Sequence, residues 1–147
     1  MAQSIVTNHK SDFVKTVDNF TSDSFNFYLI SSSAFLSEGP SILYESKDGT
    51  GRLHDPYYLH HYKQAAVEEN FPGFSDVQGS RDTYPDGEEA FYFGGPFAEF
   101  LQKKFGIEKY SEFYYNMINI SLLASSAFQM AFGVYFKDVW TEFSETI

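Results

Sequence analysis

The sequence contains no cysteine, which excludes a disulfide, a thiolate zinc site and a cysteine nucleophile. It also lacks any run of about 18 uncharged apolar residues, the length that a membrane-spanning helix needs. Basic residues are few, because 10 Lys and Arg stand against 20 Asp and Glu and give a net charge of −10. A chain this acidic repels phosphate backbones and has no Lys/Arg cluster to bind one. We therefore expect no membrane span and no nucleic-acid partner.

Aromatic residues are abundant. The 17 Phe, 11 Tyr and 1 Trp make up 20% of the 147 residues, and hydrophobic residues as a whole make up 43%. A chain of this length and apolar content can bury a core of ordinary size as one domain. Its first residues lack the basic start and apolar centre of a secretory signal, so an export signal either belongs to a longer precursor or is absent. We expect a single domain over residues 1–147, with residues 1–10 frayed.

Apolar residues recur at three- and four-residue spacing, which predicts a mainly α fold of about six helices. The strongest pattern covers residues 88–105, and Gly106 follows it in the position of a helix-ending glycine. Asp55-Pro56 offers an N-cap acceptor and a first-turn proline, which predicts a helix over 56–69. Residues 25–30 fit either an extended segment or the start of a helix. Further helices are predicted over residues 11–20, 108–117, 122–132 and 136–143.

Two segments conflict with a simple helical pattern. Between residues 33 and 45 the apolar face is interrupted by Gly39-Pro40, and an interior proline costs about 3 kcal/mol, so this helix either starts near Gly39 or bends there. Gly94-Gly95-Pro96 interrupts the pattern of 88–105, and such a conflict marks close packing or a functional site. Residues 74–87 are expected to form a long loop. If the domain has a groove, this loop and the glycine-proline triplet should form one wall of it.

Common catalytic motifs are absent from the sequence, which has no GxxxxGK loop, GxSxG elbow, EF-hand loop or HExxH. Adjacent His60 and His61 project about 100° apart on a helix, so both cannot bind one ion. The simplest interpretation places these two histidines at the surface.

Residues 33–46 (SAFLSEGPSILYES) resemble the aromatic-Leu-Ser-Glu-Gly stretch of the gluzincin zinc metallopeptidases. Residues 90–97 (AFYFGGPF) are similar to the Tyr-x-x-Gly helix start of the same family, and the likeness continues in matching order to about residue 143. It implies a fold like the C-terminal helical subdomain of these peptidases. It also implies that Glu38 matches the third zinc ligand and that Tyr92 matches the tyrosine that hydrogen-bonds the oxyanion.

The resemblance fails at the two zinc-binding histidines. In gluzincins these lie one helical turn apart, upstream of the ligand glutamate, and a glutamate beside the first activates water. His9 is the only upstream histidine here; if it takes the first position, Lys10 replaces the general base and Phe13 replaces the second histidine. One imidazole and one carboxylate beside an ammonium bind Zn²⁺ poorly, because a catalytic site normally has three protein ligands. We therefore expect no cofactor, and zinc only if the missing ligands are supplied elsewhere.

Three functions fit these residues. The first, which we expect, is a catalytically inactive metallopeptidase-like domain that keeps a groove for a peptide or protein, with Tyr92, Glu38 and, more weakly, His9 as relict site residues. The second is part of an active zinc peptidase whose HExxH lies outside this chain. The third is a plain structural or protein-interaction domain. In that case Glu38 is satisfied by backbone N–H groups, Tyr92 is a core aromatic and His9 is exposed.

Overall fold

The structure is a computed structural model that describes residues 34–77, 88–120 and 124–147. The described ranges contain helices and no strand, which confirms the predicted mainly α class. None of the described helices has the length and apolar character needed to cross a membrane. His9, the predicted helix over 11–20 and the undecided segment 25–30 lie outside the described residues. The helices are α1 (Ala34–Glu45), α2 (Pro56–Val67), α3 (Phe74–Val77), α4 (Glu89–Phe105), α5 (Ile107–Ile120), α6 (Ala124–Phe132) and α7 (Phe136–Glu145), with a 3₁₀ turn (Arg52–His54) before α2.

Local capping signals explain where α2 and α4 begin and end. The Asp55 carboxylate accepts a hydrogen bond from the Tyr57 N–H at 2.9 Å, and Pro56 occupies the first turn, so the predicted start of α2 is confirmed. The helix ends at Val67, two residues before the predicted end. Gly106 follows α4 with a φ of 87°, a backbone conformation that favours glycine, and ends that helix as predicted.

Helix α1 runs through its proline. It covers Ala34–Glu45, so of the two predicted alternatives, a start near Gly39 and a bend there, the start near Gly39 is excluded. Pro40 has no N–H to donate to the Leu36 carbonyl one turn earlier. The Tyr114 hydroxyl of α5 donates to that buried carbonyl at 2.9 Å. A hydrogen bond of this kind typically contributes about 0.5–1.5 kcal/mol, so this side chain offsets part of the penalty of the proline.

The backbones of α1 and α4 are in contact at glycines. A Cβ atom on Gly39 would lie 2.7 Å from the Gly94 carbonyl oxygen, and one on Gly94 would lie 3.1 Å from the Phe35 carbonyl oxygen. A Cβ on Gly95 would lie 2.3 Å from Cγ2 of Ile42. The glycine pair on α4 therefore serves close packing, one of the two roles that its break in helical propensity predicts.

Aromatic side chains from most of the helices form the core around Trp140 of α7. Its ring lies 5.1 Å from the Phe97 ring and 5.4 Å from the Phe35 ring, between centroids, and its indole N–H donates to the Pro72 carbonyl at 3.0 Å. Phe74 packs against this cluster, with its ring centroid 3.8 Å from that of Phe136. These contacts hold α3 in place, so the prediction of a loop is wrong for Phe74–Val77, while residues 78–87 lie outside the described residues.

Candidate functional site

Tyr92, the residue matched to the oxyanion donor, lies near the start of α4 and is 1% exposed. Its ring stacks on His61 of α2, with centroids 4.0 Å apart and planes 18° apart. Two more α2 side chains, Tyr57 and Tyr58, contact the same ring. The Tyr92 hydroxyl donates to the Glu88 carboxylate and lies 3.2 Å from the Tyr57 hydroxyl. Tyr92 thus lies in an aromatic pocket that the chain fills with its own side chains.

The single phenolic proton of Tyr92 limits what its hydroxyl can do. When Tyr92 donates to Glu88, the Tyr57 hydroxyl must donate to the Tyr92 oxygen. Burial raises the pKa of Tyr92 above its ordinary value of 10.0, and the hydrogen bonds to Glu88 and Tyr57 act in the same direction. Tyr92 is therefore neutral near neutral pH. Its proton is held by Glu88, so the hydroxyl has no proton to donate to a substrate oxyanion in this arrangement.

Glu38, the residue matched to the third zinc ligand, is half-buried on α1. Its negative charge contributes to raising the pKa of Arg52, although the hydrogen-bonded Glu45 carboxylate is the largest cause. Arg52 donates from Nε at 2.6 Å and from Nη2 at 3.0 Å to the two Glu45 oxygens. Its guanidinium also lies 5.3 Å from the centre of the Phe91 ring. Glu38 therefore lies within electrostatic reach of a cation that is already fixed by a neighbouring carboxylate.

Tyr58 lies between the residues around Glu38 and those around Tyr92. The centre of its ring lies 6.0 Å from the Arg52 guanidinium carbon. The centres of the Tyr58 and Tyr92 rings are 5.6 Å apart. Arg52 acts on Glu38, and Tyr58 contacts Tyr92, so one side chain connects the two environments. A common cavity for Glu38 and Tyr92 remains a prediction.

Side chains that could bind zinc do not form a cluster among the described residues. Within residues 34–77, 88–120 and 124–147 no group of three or more His, Cys, Asp or Glu side chains is placed to hold a metal. His60 is exposed, while His61 is half-buried against Tyr92. His54 forms a hydrogen bond through Nε2 with the Ser46 carbonyl at 3.0 Å. Zinc at Glu38 would therefore need ligands from outside the described ranges.

Sequence reasoning missed the partners of Tyr92 and Glu38, and two of them carry a local signal. Glu88 precedes Tyr92 by four residues, and Tyr57 precedes His61 by four, the spacing that places two side chains on one helix face. Arg52 gives no such signal, because it lies in a short 3₁₀ turn.

A groove of about 280 Å³ opens where α2, α4 and α7 meet, and neither Tyr92 nor the side chains that contact it line this groove. Phe100 and Phe143 lie 5.4 Å apart between ring centroids, and Phe143 stacks on Tyr62 at 6.4 Å. Of the glycine-proline triplet predicted to form a groove wall, only Pro96 lines this one, because Gly94 and Gly95 pack against α1. The groove is lined by Tyr62, Lys63, Pro96, Glu99, Phe100, Lys103, Phe143, Thr146 and Ile147.

Charged groups occupy the rim of this groove. Lys103 of α4 pairs with Glu99 one turn earlier, at 2.7 Å from Nζ to Oε1. Lys63 of α2 is exposed and forms no ion pair with any residue in the described ranges. Burial raises the pKa of Tyr62, and the charge of Glu99 raises it further, so the phenol stays neutral and can donate a hydrogen bond.

A curated relative from Treponema pallidum (strain Nichols), described as an uncharacterized protein, is 33% identical to this chain over 125 residues. The match covers 84% of the chain, and the chain spans only 12% of the length of that relative. No family model matches the chain. No solved structure matches it either.

Proposed function

We propose that this chain is a catalytically inactive, metallopeptidase-like helical domain that binds a peptide or protein segment. The observation that carries the proposal is the state of Tyr92. An oxyanion donor needs a proton directed at the substrate, and the Tyr92 proton is directed at Glu88. The same hydroxyl lies 3.2 Å from the Tyr57 hydroxyl, and the His61 ring stacks on the Tyr92 ring. These contacts of Tyr92 within the chain support an inactive domain.

The surroundings of Glu38 support the same proposal. A zinc-binding carboxylate contacts the metal ion together with other protein ligands. The cation near Glu38 is instead the Arg52 guanidinium. In the described ranges no second and third ligand joins Glu38. A positive guanidinium next to the carboxylate also disfavours a divalent ion at the same place. We interpret Glu38 as a carboxylate retained for its charge.

Peptide binding is supported by the groove between α2, α4 and α7. It is concave, it has an aromatic floor, and it carries donors at its rim in Lys63 and Tyr62. Aromatic side chains are favoured at binding surfaces because they supply a large contact area at low conformational entropy cost.

The two halves of the proposal have separate tests. For the missing chemistry, the purified chain is dialysed and its zinc content measured, and cleavage of fluorescein-labelled casein is followed with and without added Zn²⁺. We expect well under one zinc per chain and no cleavage. Stoichiometric zinc together with zinc-dependent cleavage would overturn the proposal. For binding, the chain is applied to an array of immobilised ten-residue peptides, and the absence of any retained chain would favour a plain structural domain instead.

A second function is favoured by one observation. The chain matches only 12% of the length of its Treponema relative, so the domain can be one part of a larger protein. An active zinc peptidase with its HExxH outside this chain is then an alternative, in which docking of the missing part releases Tyr92 from Glu88. The test is a longer protein that contains this domain and an HExxH. Zinc-dependent cleavage that falls at least about a hundredfold on Tyr92→Phe, as for loss of an oxyanion donor, would favour the active peptidase.

A further inference from the structure

We propose that the groove between α2, α4 and α7 binds an extended peptide in which an apolar side chain is followed or preceded by a carboxylate. This inference rests on the proposed peptide-binding function and adds the place and the chemistry of the bound segment. The groove is separate from the Glu38 and Tyr92 positions that the peptidase resemblance singles out.

The floor of the groove fits an apolar side chain. The half-buried rings of Phe100 and Tyr62 form its accessible surface, and both pack on the buried Phe143 ring. Pro96, also buried, lines the groove beside them. A volume of about 280 Å³ is just below the roughly 300–1,000 Å³ typical of small-molecule sites. That size suits one or two side chains of an extended segment rather than a whole helix.

The rim favours a carboxylate beside that apolar side chain. Glu99 is already paired with Lys103, which leaves the Lys63 ammonium as the cation without a partner among the described groove residues. The neutral Tyr62 hydroxyl adds a second donor next to it. In a chain with a net charge of −10, the charged side chains that line the groove are two lysines and one glutamate. An acidic group of a partner is therefore accepted here and repelled over most of the remaining surface.

A peptide explains the groove better than an anionic lipid surface does. Membrane binding through charge needs a cluster of about four to eight Lys or Arg residues. This groove offers Lys63 and Lys103, one of which is engaged by Glu99. The acidic chain would be repelled by the same membrane. Binding to anionic vesicles is accordingly an outcome that the test must separate from peptide binding.

The test uses the fluorescein-labelled peptide Gly-Ser-Glu-Phe-Glu-Leu-Gly-Ser and fluorescence anisotropy. We expect saturable binding that weakens as ionic strength rises. Lys63→Glu should weaken it about threefold to tenfold, because an attractive surface pair becomes a repulsive one. Lys137→Glu is the matched control: Lys137 is exposed near the start of α7, away from the groove lining, and its substitution changes the net charge by the same amount. Circular dichroism and Trp140 fluorescence check that both variants are folded.

A second readout places the peptide directly. Because the chain has no cysteine, Lys63→Cys and Lys137→Cys can each be labelled at one position with an environment-sensitive fluorophore. The peptide should change the emission of the label at position 63 and leave that at position 137 unchanged. A peptide with Lys in place of both Glu residues, and one with Ser in place of Phe and Leu, should each bind at least about threefold more weakly.

The outcomes separate this inference from the function on which it rests. Equal weakening by Lys63→Glu and Lys137→Glu, or equal binding of the lysine peptide, overturns the groove assignment. The proposed function survives that result if the array still shows binding. Absence of binding to the array and to the labelled peptide contradicts both. Binding to phosphatidylserine vesicles that is lost on Lys63→Glu, without peptide binding, would assign the groove to a lipid surface and also overturn the inference.

Discussion

Replacing Gly39 by alanine tests the backbone contact between α1 and α4. The new Cβ would lie 2.7 Å from the Gly94 carbonyl oxygen, closer than such atoms approach in real proteins. Neither backbone can move alone, because each belongs to a long helix packed in the core. Overpacking of this kind costs about 1–3 kcal/mol, and a backbone contact belongs at the upper end. The gain of roughly 1 kcal/mol in helix propensity on replacing glycine by alanine offsets part of it.

We therefore expect Gly39→Ala to lower the free energy of unfolding by about 2 kcal/mol. In urea unfolding this lowers the transition midpoint by roughly 1 M for a slope of about 2 kcal/mol/M, with the slope unchanged. A variant as stable as the parent, or more stable by the propensity gain, would refute the close approach of the two helices.

Gly95→Ala supplies a matched comparison on α4. Here the new Cβ would lie 2.3 Å from Cγ2 of Ile42, which is a side-chain atom that can be removed. Ile42→Ala removes this Cγ2 but leaves the Ile42 Cβ at 3.0 Å and Leu53 Cδ2 at 3.1 Å from the new atom, so in that background the penalty of Gly95→Ala should fall by about 1–2 kcal/mol without vanishing. The penalty of Gly39→Ala should not be relieved in that background. If Ile42→Ala reduced the two penalties equally, the contact of Gly39 with the Gly94 backbone and that of Gly95 with the Ile42 side chain would be contradicted.

Three further predictions concern polar contacts, each measured by urea unfolding. Tyr114→Phe should lower stability by about 0.5–1.5 kcal/mol because it removes the hydroxyl that donates to the buried Leu36 carbonyl; no measurable loss would contradict that bond. Glu45→Gln should cost about 0.2–1 kcal/mol at pH 7, since the Glu45 carboxylate is partly exposed. The Arg52 hydrogen bond lowers the pKa of Glu45 below 4.5, so this difference should be full above pH 4.5 and vanish as the pH falls further; a constant difference would count against it. Burial raises the pKa of Tyr92 above 10.0, so the parent should lose stability as pH rises past 10 more steeply than Tyr92→Phe, and parallel curves would exclude this effect.

Most helices could be predicted from the sequence because their signals are local. The N-cap at Asp55 and the glycine after α4 mark ends within one turn of the residues that cause them. The start of α1 could not be predicted in this way. Its interior proline is tolerated because a hydroxyl 78 positions away replaces the missing donor. The short α3 also escaped prediction, because Phe74 is held by rings of distant segments.

In the candidate site, too, local contacts could be predicted from the sequence and contacts between distant segments could not. The family resemblance selected Tyr92 and Glu38 by their neighbours in sequence, and it carried no information about what would surround them in space. The Tyr57 hydroxyl that reaches Tyr92 comes from another helix, 35 positions earlier. The groove depends on three helices and on which faces they leave uncovered, so no single stretch of sequence predicts it. The four-residue spacing predicts two of the contacts around Tyr92, that of Glu88 with Tyr92 and that of Tyr57 with His61.

The bond between Tyr114 and the Leu36 carbonyl has a consequence for how the domain opens. Separation of α5 from α1 would remove the Tyr114 donor from that carbonyl at a turn where Pro40 has no N–H to donate. The two helices should therefore exchange their amide hydrogens with deuterium as one cooperative unit. A fragment that ends before α5 would lose protection in α1 first around its proline, although every residue of α1 is still present.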